Sequence, residues 1–205
     1  GAYNIGIGPY TLNKNTIGSY NFAIGYNALY DNTSGNYNVS MGHNSLYDNT
    51  TGSHNIGIGP YTLFNNSTGI YNFAVGYNSL YNNTSGNYNT GVGSYTLFSN
   101  TVGIENVAIG SKAGYYAIGS NNVFIGFDAA FYETGSDKLF IDNQRRANEA
   151  NGRVSALIYG EFNATVASQL LRINAGTFEI NGGSDSDITC NFTGTTNSGV
   201  LKWME

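Results

Sequence analysis

Glycine and asparagine return together every 17 residues along the first half of this chain. Gly8, Gly25, Gly42, Gly59, Gly76, Gly93 and Gly110 keep that step, as do Asn4, Asn21, Asn38, Asn55, Asn72, Asn89 and Asn106. A second glycine series (Gly18, Gly35, Gly52, Gly69, Gly86, Gly103) and a leucine series (Leu12, Leu29, Leu46, Leu63, Leu80, Leu97) run in phase with them. A short period held without a slip describes a stack of near-identical coils, each resting on its neighbours. It leaves little room for a compact domain built around a private pocket.

Within each unit a short alternation recurs: Ile5/Ile7, Phe22/Ile24, Val39/Met41, Ile56/Ile58, Phe73/Val75 and Val107/Ile109. A period of two predicts a strand with one apolar face, which would rest on the coil beneath. Between those residues stands a small one (Gly6, Ala23, Ser40, Gly57, Ala74, Gly91, Ala108), which points to close approach of another backbone. The glycine after the strand is expected to turn the chain through a conformation that other residues resist. A second, shorter extended piece would carry the leucine inward, and a polar corner such as Asp31–Gly35 would close the coil. Seventeen residues at about 3.3 Å each trace a coil of roughly 56 Å, and coils about 4.8 Å apart give a body roughly 35–40 Å long. Stacking then aligns like with like. The Asn4–Asn106 series would form an amide ladder, and Tyr3, Tyr20, Tyr37, Tyr71 and Tyr88, with His54 and Glu105 in the same slot, an aromatic one.

The expected fold is therefore all-β: a parallel β-solenoid (β-roll or β-helix) of 17-residue turns over 1–135. After Gly110 the step shortens to 16 residues, and beyond 136 the period is lost. Extended segments are expected at 138–142, 154–162, 170–174, 177–181, 187–192 and 200–204, with a loop or one helical turn across 144–152. They divide into a β-rich transition segment over 136–182 and a C-terminal β segment over 183–205, too little for a large private core. Gly1 falls inside the pattern, which suggests a piece of something longer.

Composition narrows the function. The chain carries 28 glycines and 17 tyrosines against 2 prolines, and residues 1–104 hold only Lys14, Asp31 and Asp48 as charged groups. A net charge of −5 with no basic stripe argues against nucleic acid. No run of 18 apolar residues suggests membrane insertion. Cys190, the single cysteine, has no internal partner and reads as a small buried hydrophobe. His43 and His54 occupy slots held by aromatics, Pro or Ser in sister repeats, so they read as ladder members rather than metal ligands. Asp185-Ser186-Asp187 has one copy of a calcium-like turn and reads as solvated. Arg145-Arg146 can pair with Asp142 or a neighbouring chain, or lie in a solvated loop. No nucleophile, zincin or phosphate-loop motif is present, and Asp31 and Asp48 are the only acids in residues 1–104 with which to cleave a sugar. The expectation is a chain without a catalytic, cofactor or metal site.

Two families share its motifs. Asn-Val-Ala-Ile-Gly-Ser at 106–111 resembles the head repeats of trimeric bacterial autotransporter adhesins, which build parallel β-rolls, three side by side, with a slightly shorter repeat. The longer Tyr-Asn-rich unit (21–29 and its companions), followed by Ser-Ala-Leu-Ile-Tyr-Gly-Glu-Phe (155–162), Leu-Arg-Ile-Asn (171–174) and Gly-Val-Leu-Lys-Trp-Met-Glu (199–205), resembles bacteriophage tail fibre proteins. That resemblance implies an intertwined homotrimer, with 136–182 helping to trimerise it, on a virion. Its function would be structural and host receptor-binding, with Tyr30, Tyr47 and Tyr81 stacking on a host cell-surface glycan unless they pack between chains; a protein receptor is the other expected partner. The alternatives are the head of a bacterial surface adhesin and the non-catalytic part of a polysaccharide-depolymerising tail spike.

Overall fold

The computed structural model describes residues 1–163, 165 and 168–175. The repeats form a parallel β-solenoid with one three-residue strand per coil: β1 Ile5–Ile7, β2 Phe22–Ile24, β3 Val39–Met41, β4 Ile56–Ile58, β5 Phe73–Val75, β6 Thr90–Val92, β7 Val107–Ile109 and β8 Val123–Ile125. The register joins equivalent repeat positions, Gly6 opposite Ala23 and Ala23 opposite Ser40. β9 (Lys138–Ile141) continues the parallel ladder on β8, and β10 (Ile158–Glu161) and β11 (Leu170–Ile173) add to it antiparallel. The boundary expected at 135 thus does not interrupt the sheet, in which the eleven strands among the described residues follow chain order. The segments expected at 177–181, 187–192 and 200–204, together with Asp185–Asp187 and Cys190, lie outside the described residues.

Three residues per coil are a short strand, yet the coils are bonded to one another around their whole circuit. Leu29 N donates to Ser45 O at 3.0 Å, Asp31 N to Tyr47 O at 2.9 Å and Thr33 N to Thr50 O at 2.9 Å. Other amides point the opposite way, Gly42 N to Ile24 O at 2.8 Å and Asn44 N to Tyr26 O at 2.9 Å. Each coil therefore bonds both neighbours, which is how turn backbone is satisfied without water.

The strands face the reverse of the way their pattern suggests. The small central residues Ala23, Ser40, Ala74 and Ala108 are fully buried, while Ile7 is 57% exposed and Ile58, Phe73 and Ile109 are also on the surface. The strand packs across a narrow interior, not onto the coil beneath. A Cβ added to Gly57 would lie 2.8 Å from Thr62 Oγ1 and 2.7 Å from Ser45 Oγ. Only a small side chain fits there, and the fit is complementary. Coils with Gly6, Gly57 and Gly91 carry Thr11, Thr62 and Thr96 five residues on, whereas coils with Ala23 and Ala108 carry Ala28 and Ala113. Trading a methyl on one wall for one on the other keeps the interior filled at native density.

The leucines do point inward, with Leu29, Leu46, Leu63, Leu80 and Leu97 fully buried. The piece carrying them is a turn, not the extended segment expected. Leu29 has φ 51°, Asn27 φ 54° and Tyr20 φ 59°, so each such coil places three non-glycine residues in the left-handed region. That conformation costs an L-residue roughly 1–2 kcal/mol. Burial of the leucine, worth about 1.5–3 kcal/mol, and the inter-coil bonds offset it. In the last coils the packing is exchanged between walls. Gly114 and Ala130 take the leucine slot, and Phe124 and Phe140 fill the strand slot. A Cβ on Gly114 would sit 2.5 Å from Phe124 Cδ2.

A short helix, α1 (Glu149–Ser155), lies where a loop or single turn was expected and takes in the start of the segment expected to be extended from 154. Asn148 caps it, its side chain accepting from Asn151 N at 2.9 Å. Gly152 is its buried residue and lies against Phe140. The segment around the helix supplies three arginines to three buried acids of the last coils. Arg145 bonds Asp128 (3.0 Å), Arg146 bonds Asp142 (2.7 Å) and Arg153 bonds Glu133 (2.7 Å). These pairs account for six of the charged residues that follow residue 104. Burial pushes the Glu133 carboxyl up, but Arg153 and the Gly135 amide more than offset that and hold its pKa below the ordinary carboxylate value.

Two outcomes follow from this packing. Gly76 has φ 120°, and a Cβ there would lie 2.7 Å from Gly93 O, so Gly76→Val is expected to cost about 3 kcal/mol or more, against about 1 kcal/mol for the half-buried Ser67→Ala. Equal unfolding midpoints would remove the assigned turn. Glu133 is held ionised more firmly in the folded chain than in the unfolded one. Its contribution is therefore complete above the ordinary value of 4.5 and fades as acid passes through the lowered folded pKa. Protection of the 149–155 amides, measured against their intrinsic exchange rates, should fall there, and Arg153→Ala should show that loss already at neutral pH.

Candidate functional site

Each Asn of the predicted series holds two coils at once. Asn38 Nδ2 donates to Asn21 Oδ1 at 3.1 Å and to Gly52 O at 2.9 Å, while Asn38 N reaches the same Asn21 Oδ1 at 2.9 Å. The pattern runs from Asn4 through Asn106 and on to Asn122, whose Oδ1 accepts from Lys138 N at 2.9 Å. The Gly8–Gly110 series turns the chain after each strand, with φ between 120° and 150°. Sequence reading missed a second amide ladder. Asn32, Asn49, Asn66, Asn83 and Asn100 each donate to the Asn one coil back at 2.7–3.1 Å. Their Asn-Thr-Ser-Gly surroundings look like ordinary turn formers, but a strict 17-residue step at a buried corner could have exposed them. They also explain the second glycines. A Cβ on Gly52 would fall on Asn49 Oδ1 and 2.8 Å from Asn66 Nδ2, so that series answers to contact rather than to φ. Ala117 breaks this ladder, leaving Asn100 Oδ1 buried without a hydrogen bond, and Glu133 takes the next slot.

Two surfaces face outward. One is the strand wall, where Ile5, Phe22, Val39, Ile56, Phe73, Thr90, Val107 and Val123 align in one column and Ile7, Ile24, Met41, Ile58, Val75, Val92, Ile109 and Ile125 in the next. The other wall carries the aromatics. Tyr30, Tyr47, Phe64, Tyr81, Phe98, Tyr115 and Phe131 stack with centroids 4.9–5.3 Å apart. Tyr3, Tyr20, Tyr37, His54, Tyr71 and Tyr88 form a separate stack at 4.6–5.2 Å, each two residues before its strand and so beside the strand wall. Because Gly57 meets Thr62 and Leu46 in the interior, the strand wall and the wall bearing Tyr61 and Phe64 are opposite sides of the coil.

Tyr30, Tyr47 and Tyr81 do not offer their ring faces to a sugar. Tyr47 lies between Tyr30 and Phe64, Tyr81 lies between Phe64 and Phe98, and the Lys14 ammonium stands 5.2 Å over Tyr30. A face already within stacking distance of another ring has no room for a pyranose. What the wall offers instead are notches above the ring edges. One, of about 350 Å³, is lined by Tyr61, Tyr77, Asn78, Tyr81 and Phe98. Another, of about 330 Å³, is lined by Tyr95, Lys112, Tyr115, Tyr116, Phe131 and Arg145.

No protein-family model, curated protein or solved structure matches the chain. Among the described residues, His, Cys, Asp and Glu form no metal-sized cluster, and no helix is long and apolar enough to cross a membrane. His54 stacks between Tyr37 and Tyr71 at 5.0 and 4.6 Å, and His43 stacks on Tyr26 at 5.4 Å.

The ladder gives a graded expectation. Asn55→Ala strands Asn72 N inside the coil and takes from Gly69 O one of its two side-chain donors, leaving Asn66 Nδ2, so it should cost about 2–4 kcal/mol, at about 1–3 kcal/mol for an orphaned group and about 1 kcal/mol for a lost bond. Asn4→Ala, at the partly exposed first rung, should cost about 1 kcal/mol because water replaces its bonds. Denaturant titration of both variants would show no difference if the ladder carried no stability.

Proposed function

We propose that this chain is a structural and receptor-binding segment of a fibre, of the bacteriophage tail fibre kind its motifs resemble. Three copies would pack strand wall to strand wall, turning their aromatic walls toward a host cell-surface glycan. The observation that carries this reading is the double apolar column. It continues for seven strand spacings, roughly 34 Å, on a rigid ladder, and soluble monomers rarely leave so long an apolar surface uncovered. A homotrimer buries all three columns around one axis and leaves the opposite walls outside. The function is mechanical: the ladders resist bending, and repeated weak contacts along one rigid wall add through avidity. No chemical step is assigned to it.

The 16-residue coils at 107–138 favour a second reading, the head of a trimeric bacterial adhesin, because the shorter step resembles that family's repeat. Sequence flanking the chain separates the two: a coiled-coil stalk and outer-membrane anchor favours the adhesin, further fibre the phage protein.

Light scattering should give three times the 21.9 kDa chain mass. Ile58→Lys with Phe73→Lys should yield a folded monomer with an unchanged circular dichroism spectrum, since both side chains lie outside the coil. A wild-type monomer would remove the trimer. Labelled protein should bind host cells and lose that binding when the surface polysaccharide is stripped.

A further inference from the structure

One column of the aromatic wall mixes large and small side chains. Tyr61, Asn78, Tyr95, Lys112 and Asp128 succeed one another coil by coil in the same repeat position, and Arg145 joins Asp128 from outside the repeat. Where a tyrosine stands it forms a wall; where a shorter or more flexible side chain stands, a notch opens above the stacked rings. The two notches centre on Asn78 and Lys112, two coils or roughly 10 Å apart at the usual strand spacing. Their volumes lie at the lower end of small-ligand pockets.

The notches differ in chemistry. Asn78 is only 9% exposed, and its buried Oδ1 has no hydrogen-bond partner among the described residues. A rotation of the side chain that turns this oxygen into the notch would let it accept from a sugar hydroxyl. The second notch holds two cations in a chain of net charge −5. Lys112 makes no ion pair among the described residues. Arg145 spends two of its donors on the Asp128 carboxylate (3.0 and 3.4 Å) and places its guanidinium carbon 3.9 Å from the Phe131 ring centroid, and its other N–H groups have no partner among the described residues. Tyr116, 44% exposed, supplies an aromatic flank. Before residue 104 the only cation is Lys14, already paired with Asp31, so this charge stands alone on the wall.

We infer that the aromatic wall binds an acidic oligosaccharide lying along the solenoid, with a sugar carboxylate at Lys112 and Arg145 and a neutral sugar hydroxyl at Asn78. This rests on the receptor-binding reading and names the class of glycan. The carboxylate gains charge-assisted hydrogen bonds in an open notch flanked by Tyr95 and Tyr116. A neutral glycan gains only ordinary hydrogen bonds from Lys112, without an opposite charge to strengthen them.

The test uses two probes on the intact protein: a tetrasaccharide alternating glucuronic acid with N-acetylglucosamine, and the neutral N-acetylglucosamine tetramer. Binding is read by saturation-transfer NMR and calorimetry at low and physiological salt. The acidic probe should bind at least tenfold tighter and weaken with salt. Lys112→Asn should remove most of that preference. Its fold is protected, because Asn27, Asn44 and Asn78 hold the same left-handed position (φ 52–55°). Tyr116→Ala should weaken the acidic probe at least fivefold, and Lys14→Gln should change nothing. Equal binding of both probes, or indifference to Lys112→Asn, overturns the inference while leaving a glycan receptor in place. If neither tetrasaccharide binds but purified host polysaccharide does, the inference falls and the receptor reading stands. If the polysaccharide fails as well, both fall.

Discussion

A buried carboxamide joining each coil to the next is the bond on which the solenoid depends. An asparagine side chain offers one acceptor and two donors, and here both ends are used: Nδ2 meets a carbonyl within its own coil's corner and the Oδ1 of the coil before, and its own Oδ1 takes two donors from the coil after. Those groups are buried turn backbone, which would otherwise be costly to take out of water. The ladder also fixes register. A slip of one residue would place Ile or Tyr where the amide must be, so every coil must be the same length or shorten at its corner. The 16-residue coils do the latter: Ala117-Ile118-Gly119 stands where Asn100-Thr101-Val102-Gly103 does one coil earlier.

Once the amides occupy two corners, the interior left over is narrow. It holds one leucine and one or two small residues per coil, and the complementary choice of Gly with Thr or Ala with Ala shows how little slack remains. The large apolar side chains of the strand have no place inside. They stand outside, beside stacked rings whose faces cover one another. A coil of this kind is held less by a greasy core than by satisfied hydrogen bonds and aromatic contact, each contributing about 1 kcal/mol and repeated in every turn. The open end of the last coil is where this repetition stops, and there three arginines from outside the repeat close on three buried acids.

The sequence revealed some of this and not the rest, for physical reasons. Period alone disclosed the parallel stack, the Asn4–Asn106 spacing and the inward leucines, because stacking turns sequence distance into spatial neighbourhood. It did not disclose which strand face is inside. An alternation of large and small apolar residues fits either face, and hydrophobicity favours the wrong one when the interior is too narrow for Ile. Left-handed Leu29 and Tyr20 were hidden because their residue types seldom adopt that conformation. The arginine clamps were hidden because Arg145, Arg146 and Arg153 belong to no repeat. For the candidate site, the tyrosines were legible as a series but not as a stack with its faces closed; that needed the 5.0 Å separation of Tyr30 and Tyr47.

The same geometry decides what kind of contact such a surface can make. Stacked rings present edges and hydroxyls, not faces, so recognition along the wall must rely on hydrogen bonds and charge set between the rings. A smooth stack would bind nothing in particular. Variation in one outer column creates specificity: Asn78 and Lys112 stand where Tyr61 and Tyr95 do in neighbouring coils, and each lines a notch. A repeat protein can therefore change its ligand by exchanging single residues in one outer column, while the amide ladder that fixes the fold stays untouched. Separation of the two roles is possible because the ladder lies inside the coil and the column outside it.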